Sequence, residues 1–116
     1  MNKFKVDPYY TTLYVTTSVA EYKKYYKKFN DGHANSMMDE SPAGLCCDFS
    51  NKMLILIQSG GLDTLVHECM HAALNICEAK DIKVFKDQEP IAYMMGKMVG
   101  DIYAKMPLIR GQDSHK

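Results

Sequence analysis

From Leu62 to Ala79 the chain carries neither proline nor glycine. Its apolar positions, Leu62, Leu65, Val66, Cys69, Met70, Ala72, Ala73, Ile76 and Cys77, wrap most of the surface of a helix. One polar stripe interrupts them at four-residue spacing: Asp63, His67, His71, Asn75. Ser59-Gly60-Gly61 breaks the chain ahead of this helix, and Asp63 falls in its first turn, where the helix dipole favours a carboxylate. A second helical pattern opens at Glu89-Pro90, where a missing N–H does no harm, and runs to about Met106, where Pro107 stops it. Glu89, Tyr93, Gly96 and Gly100 make one stripe of that helix, with Ile91, Met94, Met95, Met98 and Ile102 on other faces. Glycine inside a helix costs about 1 kcal/mol relative to alanine. Gly96 and Gly100 therefore predict close approach of another helix backbone on the Glu89 side. The helix with the histidines is the expected neighbour, and such packing would carry Glu89 toward His67 and His71.

Period-two patterns precede these helices. Residues 11–17 (TTLYVTT) are β-branched and aromatic and predict a strand. Ser18-Val19-Ala20-Glu21 matches a capping box, and a helix is expected to follow to about Phe29. Val19, Tyr22, Tyr26 and Phe29 share its inner face; lysines 23, 24, 27 and 28 take the other. That lysine run reads first as a solvated face over a tyrosine-lined core, with contact to an acidic partner as the alternative. Residues 30–42 hold turn formers and predict a long loop in which His33 is an exposed loop histidine. Gly44 to Phe49 and Met53 to Gln58 predict two strands of a hairpin joined at Ser50-Asn51-Lys52. The second is apolar on both faces and hence partly sheltered on both; its residues 53–57 are expected at a sheet edge, where an extended peptide would pair with the main chain. Residues 1–10 read as a polar lead-in, Lys80 to Gln88 as a loop with a short extended piece at 82–85, and the tail after Pro107 as short and frayed, with His115 outside any site.

Length permits one core: a single domain over residues 1–116, with its core at about 11–106. The expected fold is α+β, with a small, mostly antiparallel sheet packed against the helix of residues 62–79 and the helix that opens at Glu89. Formal net charge is zero, from 14 basic and 14 acidic side chains. That predicts no general nucleic-acid binding and no membrane-surface binding, and leaves only a local patch open. Asp7 and Pro8 stand where a secretory signal needs an apolar run, and no apolar stretch approaches membrane-spanning length. A cytoplasmic location is expected. Of four cysteines, at 46, 47, 69 and 77, none forms a C-x-x-C; they read as reduced, packed thiols, with Cys46 and Cys47 on opposite faces of a strand.

His67-Glu68-Cys69-Met70-His71 is the stretch that carries chemistry. Residues four apart lie nearly above one another on a helix, so His67 and His71 offer two imidazoles to one ion. Glu68 is turned about 100° from His67 and stands beside such an ion, where a general base for a water belongs. A catalytic zinc site usually has three protein ligands and leaves a fourth position for water. Glu89 is the candidate third. Asn75 and Asp63 are candidate partners of the histidines themselves.

HECMH followed by Glu89 at the start of the next helix resembles the gluzincin branch of the zincin metallopeptidases. The segment EPIAYMMGKMVGDIY, the small size and the strand–helix–hairpin–helix–helix order are similar to minimal zincin domains, including small metallopeptidase-like proteins encoded by phages. The resemblance covers roughly residues 11 to 106. It implies one zinc ion per chain on His67, His71 and Glu89, with Glu68 as general base for hydrolysis of a peptide or protein substrate. The resemblance also implies Tyr93, one turn beyond Glu89, as a partner of a ligand histidine, and the chain departs from the family there, with a tyrosine where an acid is common. Two other readings stand beside the peptidase: a zinc-stabilised binding protein that does not cut its partner, and a metal-free helical interaction module. Nine methionines suit an adaptable binding surface, although most fall where helix packing accounts for them.

Overall fold

Strand β4 (Lys52–Ile57) is apolar on both faces because both faces are covered. Met53, Ile55 and Ile57 join one core cluster, while Leu54 and Leu56 join a second around Tyr22. All five side chains are buried, each contributing about 1.5–3 kcal/mol of transfer free energy. The computed structural model describes residues 1–33 and 42–114. Around β4 it arranges β1 (Asn2–Val6), β2 (Thr11–Thr16) and β3 (Gly44–Phe49) in one four-stranded sheet of order β1-β2-β4-β3. The β1–β2 and β3–β4 pairs are antiparallel; β2 and β4 run parallel, so the sheet is mixed. Helix α1 (Val19–Phe29), between β2 and β3 in the chain, packs on one face against β4 and β2. Helices α2 (Leu62–Ala79), α3 (Glu89–Lys105) and α4 (Pro107–Asp113) stand on the other. The α+β class is as expected. No helix among the described residues is long and apolar enough to cross a membrane.

Three segments depart from expectation. Residues 2–6 form a strand, because Lys3-Phe4-Lys5-Val6 alternates and Phe4 and Val6 reach the core. The tail is a helix: Ile109 is fully buried, and the residues after it tie down the start of α2. Gln112 Oε1 accepts from the Gly61 N–H at 2.9 Å, and Asp113 accepts from the Leu62 N–H at 3.1–3.2 Å. Gly61, the residue before α2, has no side chain to cap it, so these two supply partners for orphan amides at the helix start. Gly61 itself has φ +59°, and a Cβ there would lie 2.2 Å from Asp113 Oδ1. No strand forms at 82–85; the segment turns, and Phe85 is almost wholly exposed.

Other expectations hold. Ser18 Oγ accepts from the Glu21 N–H at 3.1 Å, one half of the capping box, while the Glu21 carboxylate turns instead to the Met1 ammonium at 3.0 Å. Cys46 packs toward α2 and α3 and Cys47 toward α1, where it accepts the Tyr22 hydroxyl at 3.1 Å. All four cysteines are free, and burial pushes the Cys69 thiol up to about 12. His33 is exposed; residues 34–41 of its loop and His115 lie outside the described residues.

Candidate functional site

α2 buries Leu65, Glu68, Cys69, Ala72, Ala73, Ile76 and Cys77 and turns His67 and His71 outward. The two rings meet edge to face, with Nε2 of one 3.3 Å from Nε2 of the other. Two nitrogens each about 2.0–2.1 Å from a tetrahedral zinc ion are about 3.3 Å apart, so the two imidazoles fit the bite of one ion. The same separation accommodates an N–H···N hydrogen bond between neutral rings of complementary tautomers.

Glu68 faces the opposite way from ordinary helix carboxylates. Its residue is only 6 % exposed, inside the edge where α2 meets β3. Burial raises its proton affinity above the usual carboxylate range; the nearby imidazoles of His67 and His71 pull it back down. Gly44 makes this seating possible. A Cβ at that position would lie 2.6 Å from Thr64 Cγ2, 2.9 Å from the Leu56 carbonyl oxygen and 3.0 Å from Glu68 Cγ. Only a glycine lets β3 and α2 approach so closely, and a glycine opening a predicted strand was the signal for it. A cleft of about 350 Å³ lies there, lined by Ala43, Gly44, Asp63, Thr64, His67 and Glu68. A larger hollow of about 550 Å³ at the C-terminal end of α2, walled by Leu74, Val84 and Phe85, holds none of the three motif residues.

The strand beside the cleft is β3, which among the described residues pairs only with β4 and so lies at one edge of the sheet. The hairpin strand at 53–57, expected at that edge, lies inside the sheet between β2 and β3 because its two apolar faces both demand cover.

α3 is rotated differently from the sequence expectation. Its buried residues are Met94, Met98 and Ile102. Glu89 and Met98 are nine residues apart, about 900° at about 100° per residue, so they point to opposite sides of the helix. The Glu89 stripe therefore faces outward: Tyr93 is 57 % exposed, and a Cβ on Gly96 or Gly100 would meet nothing within 4 Å. These glycines do not mark a helix contact; the methionine face does. Among the described residues no group of three or more His, Cys, Asp and Glu side chains is gathered closely enough to hold a metal ion. The structure thus brings together His67 and His71, sets Glu68 beside them, and leaves Glu89 exposed at the start of α3 without joining it to the pair. Asp63 lines the cleft, and Asn75 is half-buried one turn beyond His71. Neither Asn75 nor Tyr93 hydrogen-bonds to an imidazole among the described residues.

Among the described residues the arrangement offers a two-nitrogen chelate, an adjoining carboxylate of raised basicity, and a cleft lined by His67, Glu68 and Gly44 at the start of edge strand β3. Set against known proteins, the chain matches no family model, no curated protein and no solved structure.

Proposed function

We propose that this protein is a zinc-dependent peptidase of minimal gluzincin type. The observation that carries the reading is the 3.3 Å separation of the His67 and His71 Nε2 atoms with the Glu68 carboxylate seated next to them. His67 and His71 would hold zinc; Glu89, the third ligand that the resemblance implies, is not gathered with them in this structure. When bound, zinc supplies Lewis-acid polarisation of a scissile carbonyl and makes a water more acidic. Glu68 takes the proton of the attacking water as the C–O bond forms. It then delivers that proton to the amide nitrogen as the C–N bond breaks, releasing a carboxylic acid and an amine. Its buried seat favours this role, because a carboxylate of raised proton affinity is a better base near neutral pH. The free edge of β3 would align an extended peptide by main-chain pairing, which makes an unfolded segment the natural substrate.

The ungathered third ligand favours a second reading, a zinc-stabilised binding protein without turnover. One experiment separates the two. Untagged protein is analysed for zinc and assayed on a peptide library, together with His71→Ala, Glu89→Gln and Glu68→Gln. The peptidase reading expects about one zinc per chain, lost in His71→Ala and weakened in Glu89→Gln, with cleavage reduced about 10²–10⁴-fold in Glu68→Gln while zinc is retained. Zinc without cleavage by any variant selects the binding protein. Zinc-free protein whose melting point ignores added zinc rejects both.

A further inference from the structure

The outward arc of α1 holds Lys23, Lys24, Lys27 and Lys28, all exposed, and no carboxylate lies among them. Lys23 and Lys27, and likewise Lys24 and Lys28, stand one turn apart, so each pair repels on a helix surface. A solvated face normally interleaves acids at those positions; here the nearest, Glu21, is engaged by the Met1 ammonium. None of the four makes an ion pair among the described residues. The basic surface continues onto the sheet beside α1. Lys52 sits 5.0 Å over the Phe29 ring and Lys3 5.5 Å over the Tyr14 ring, both rings belonging to the α1 side of the sheet.

We propose that this α1 face binds the phosphate backbone of a nucleic acid without reading its sequence. The composition of the face selects that partner. Protein interfaces have a core depleted in lysine and built on apolar and aromatic anchors, whereas the outward arc of α1 presents four lysines and Ala20, with the half-buried Glu21 at its margin near Lys24. A membrane-surface helix inserts an apolar face, and the apolar face of α1 is already spent on the sheet. A polyanionic backbone asks only for spaced cations. The surface lies on the opposite side of the sheet from the H-E-x-x-H cleft, so it is independent of the metal reading.

The test is fluorescence anisotropy of a labelled 20-base-pair duplex with the full chain. Binding is expected at 50 mM salt and should weaken about a hundredfold by 200 mM, the slope of about −3.6 for four neutralised phosphates. Lys23→Glu/Lys24→Glu should bind at least about tenfold more weakly while its α1 becomes more stable, because both new acids sit four residues before a lysine. Lys83→Glu/Lys86→Glu, on the far side of the sheet, should leave duplex affinity unchanged. Absence of binding at 50 mM salt overturns the proposal. So does duplex affinity indifferent to the α1 reversal, equal loss in the far-side variant, or capture by phosphatidylserine vesicles or polyglutamate in preference to the duplex.

Discussion

Asp113 accepts a hydrogen bond from the backbone N–H of Leu62, 51 residues earlier in the chain, and a second from the Tyr103 hydroxyl. The last helix thereby closes the first turn of the helix that presents the histidines. Asp113→Ala should lower stability by about 0.5–2 kcal/mol, the cost of a lost N-cap. Asp113→Asn, which keeps an acceptor, should lose less. Urea unfolding of the two variants measures the difference, and equal midpoints for Asp113→Ala and the parent would remove the cap from this account.

The bite between His67 and His71 predicts that zinc stabilises the folded chain. At a free zinc concentration one hundred times Kd the gain is about 2.7 kcal/mol. His67→Ala and His71→Ala should each lose that increment in a thermal melt while keeping the melting point of the metal-free parent, since both rings are exposed. A zinc-induced rise that survives both substitutions would place the ion elsewhere.

Gly44→Ala is expected to cost about 1–3 kcal/mol, because the added carbon meets the Leu56 carbonyl and Thr64 and the backbone there cannot yield. Gly96→Ala, whose added carbon meets nothing, should instead stabilise α3 by about 0.5–1 kcal/mol. The opposite signs are read from chemical melts of the two single variants.

The Glu21 carboxyl is held below its ordinary value, first by a hydrogen bond with the Thr16 hydroxyl and then by the Met1 ammonium. A lowered folded pKa means that the ionised group stabilises the fold above the usual carboxylate pKa, and that this contribution disappears as pH falls through the folded value. Glu21→Gln should therefore melt lower than the parent at pH 7, with the gap closing in strong acid. Melting curves across that range check the sign; a gap that widens in acid would refute it.

Local patterns in the sequence carried much of the fold. The 62–79 helix, the capped 19–29 helix and the two-sided apolar strand each follow from spacing that a single element imposes on itself, so neighbours were not needed to read them. The same holds for the two imidazoles, since four residues on a helix fix their approach. The first strand was equally legible in Phe4 and Val6 and was obscured only by Lys3 and Lys5, which alternate with them.

Three things were decided by tertiary structure alone. Which strand becomes the sheet edge depends on how many faces and sides each strand must cover, and β3 rather than 53–57 takes that place beside the cleft. The cap on α2 comes from the end of the chain, and no local pattern announces a partner 51 residues away. The rotation of α3 is set by burial of Met94, Met98 and Ile102, which outweighs any preference expressed by its glycines and turns Glu89 outward. Sequence thus determined the pair of donors within one helix. Whether a third comes to them depends on how two helices are turned on a shared core, a choice made by the summed area of apolar side chains that neither helix specifies by itself.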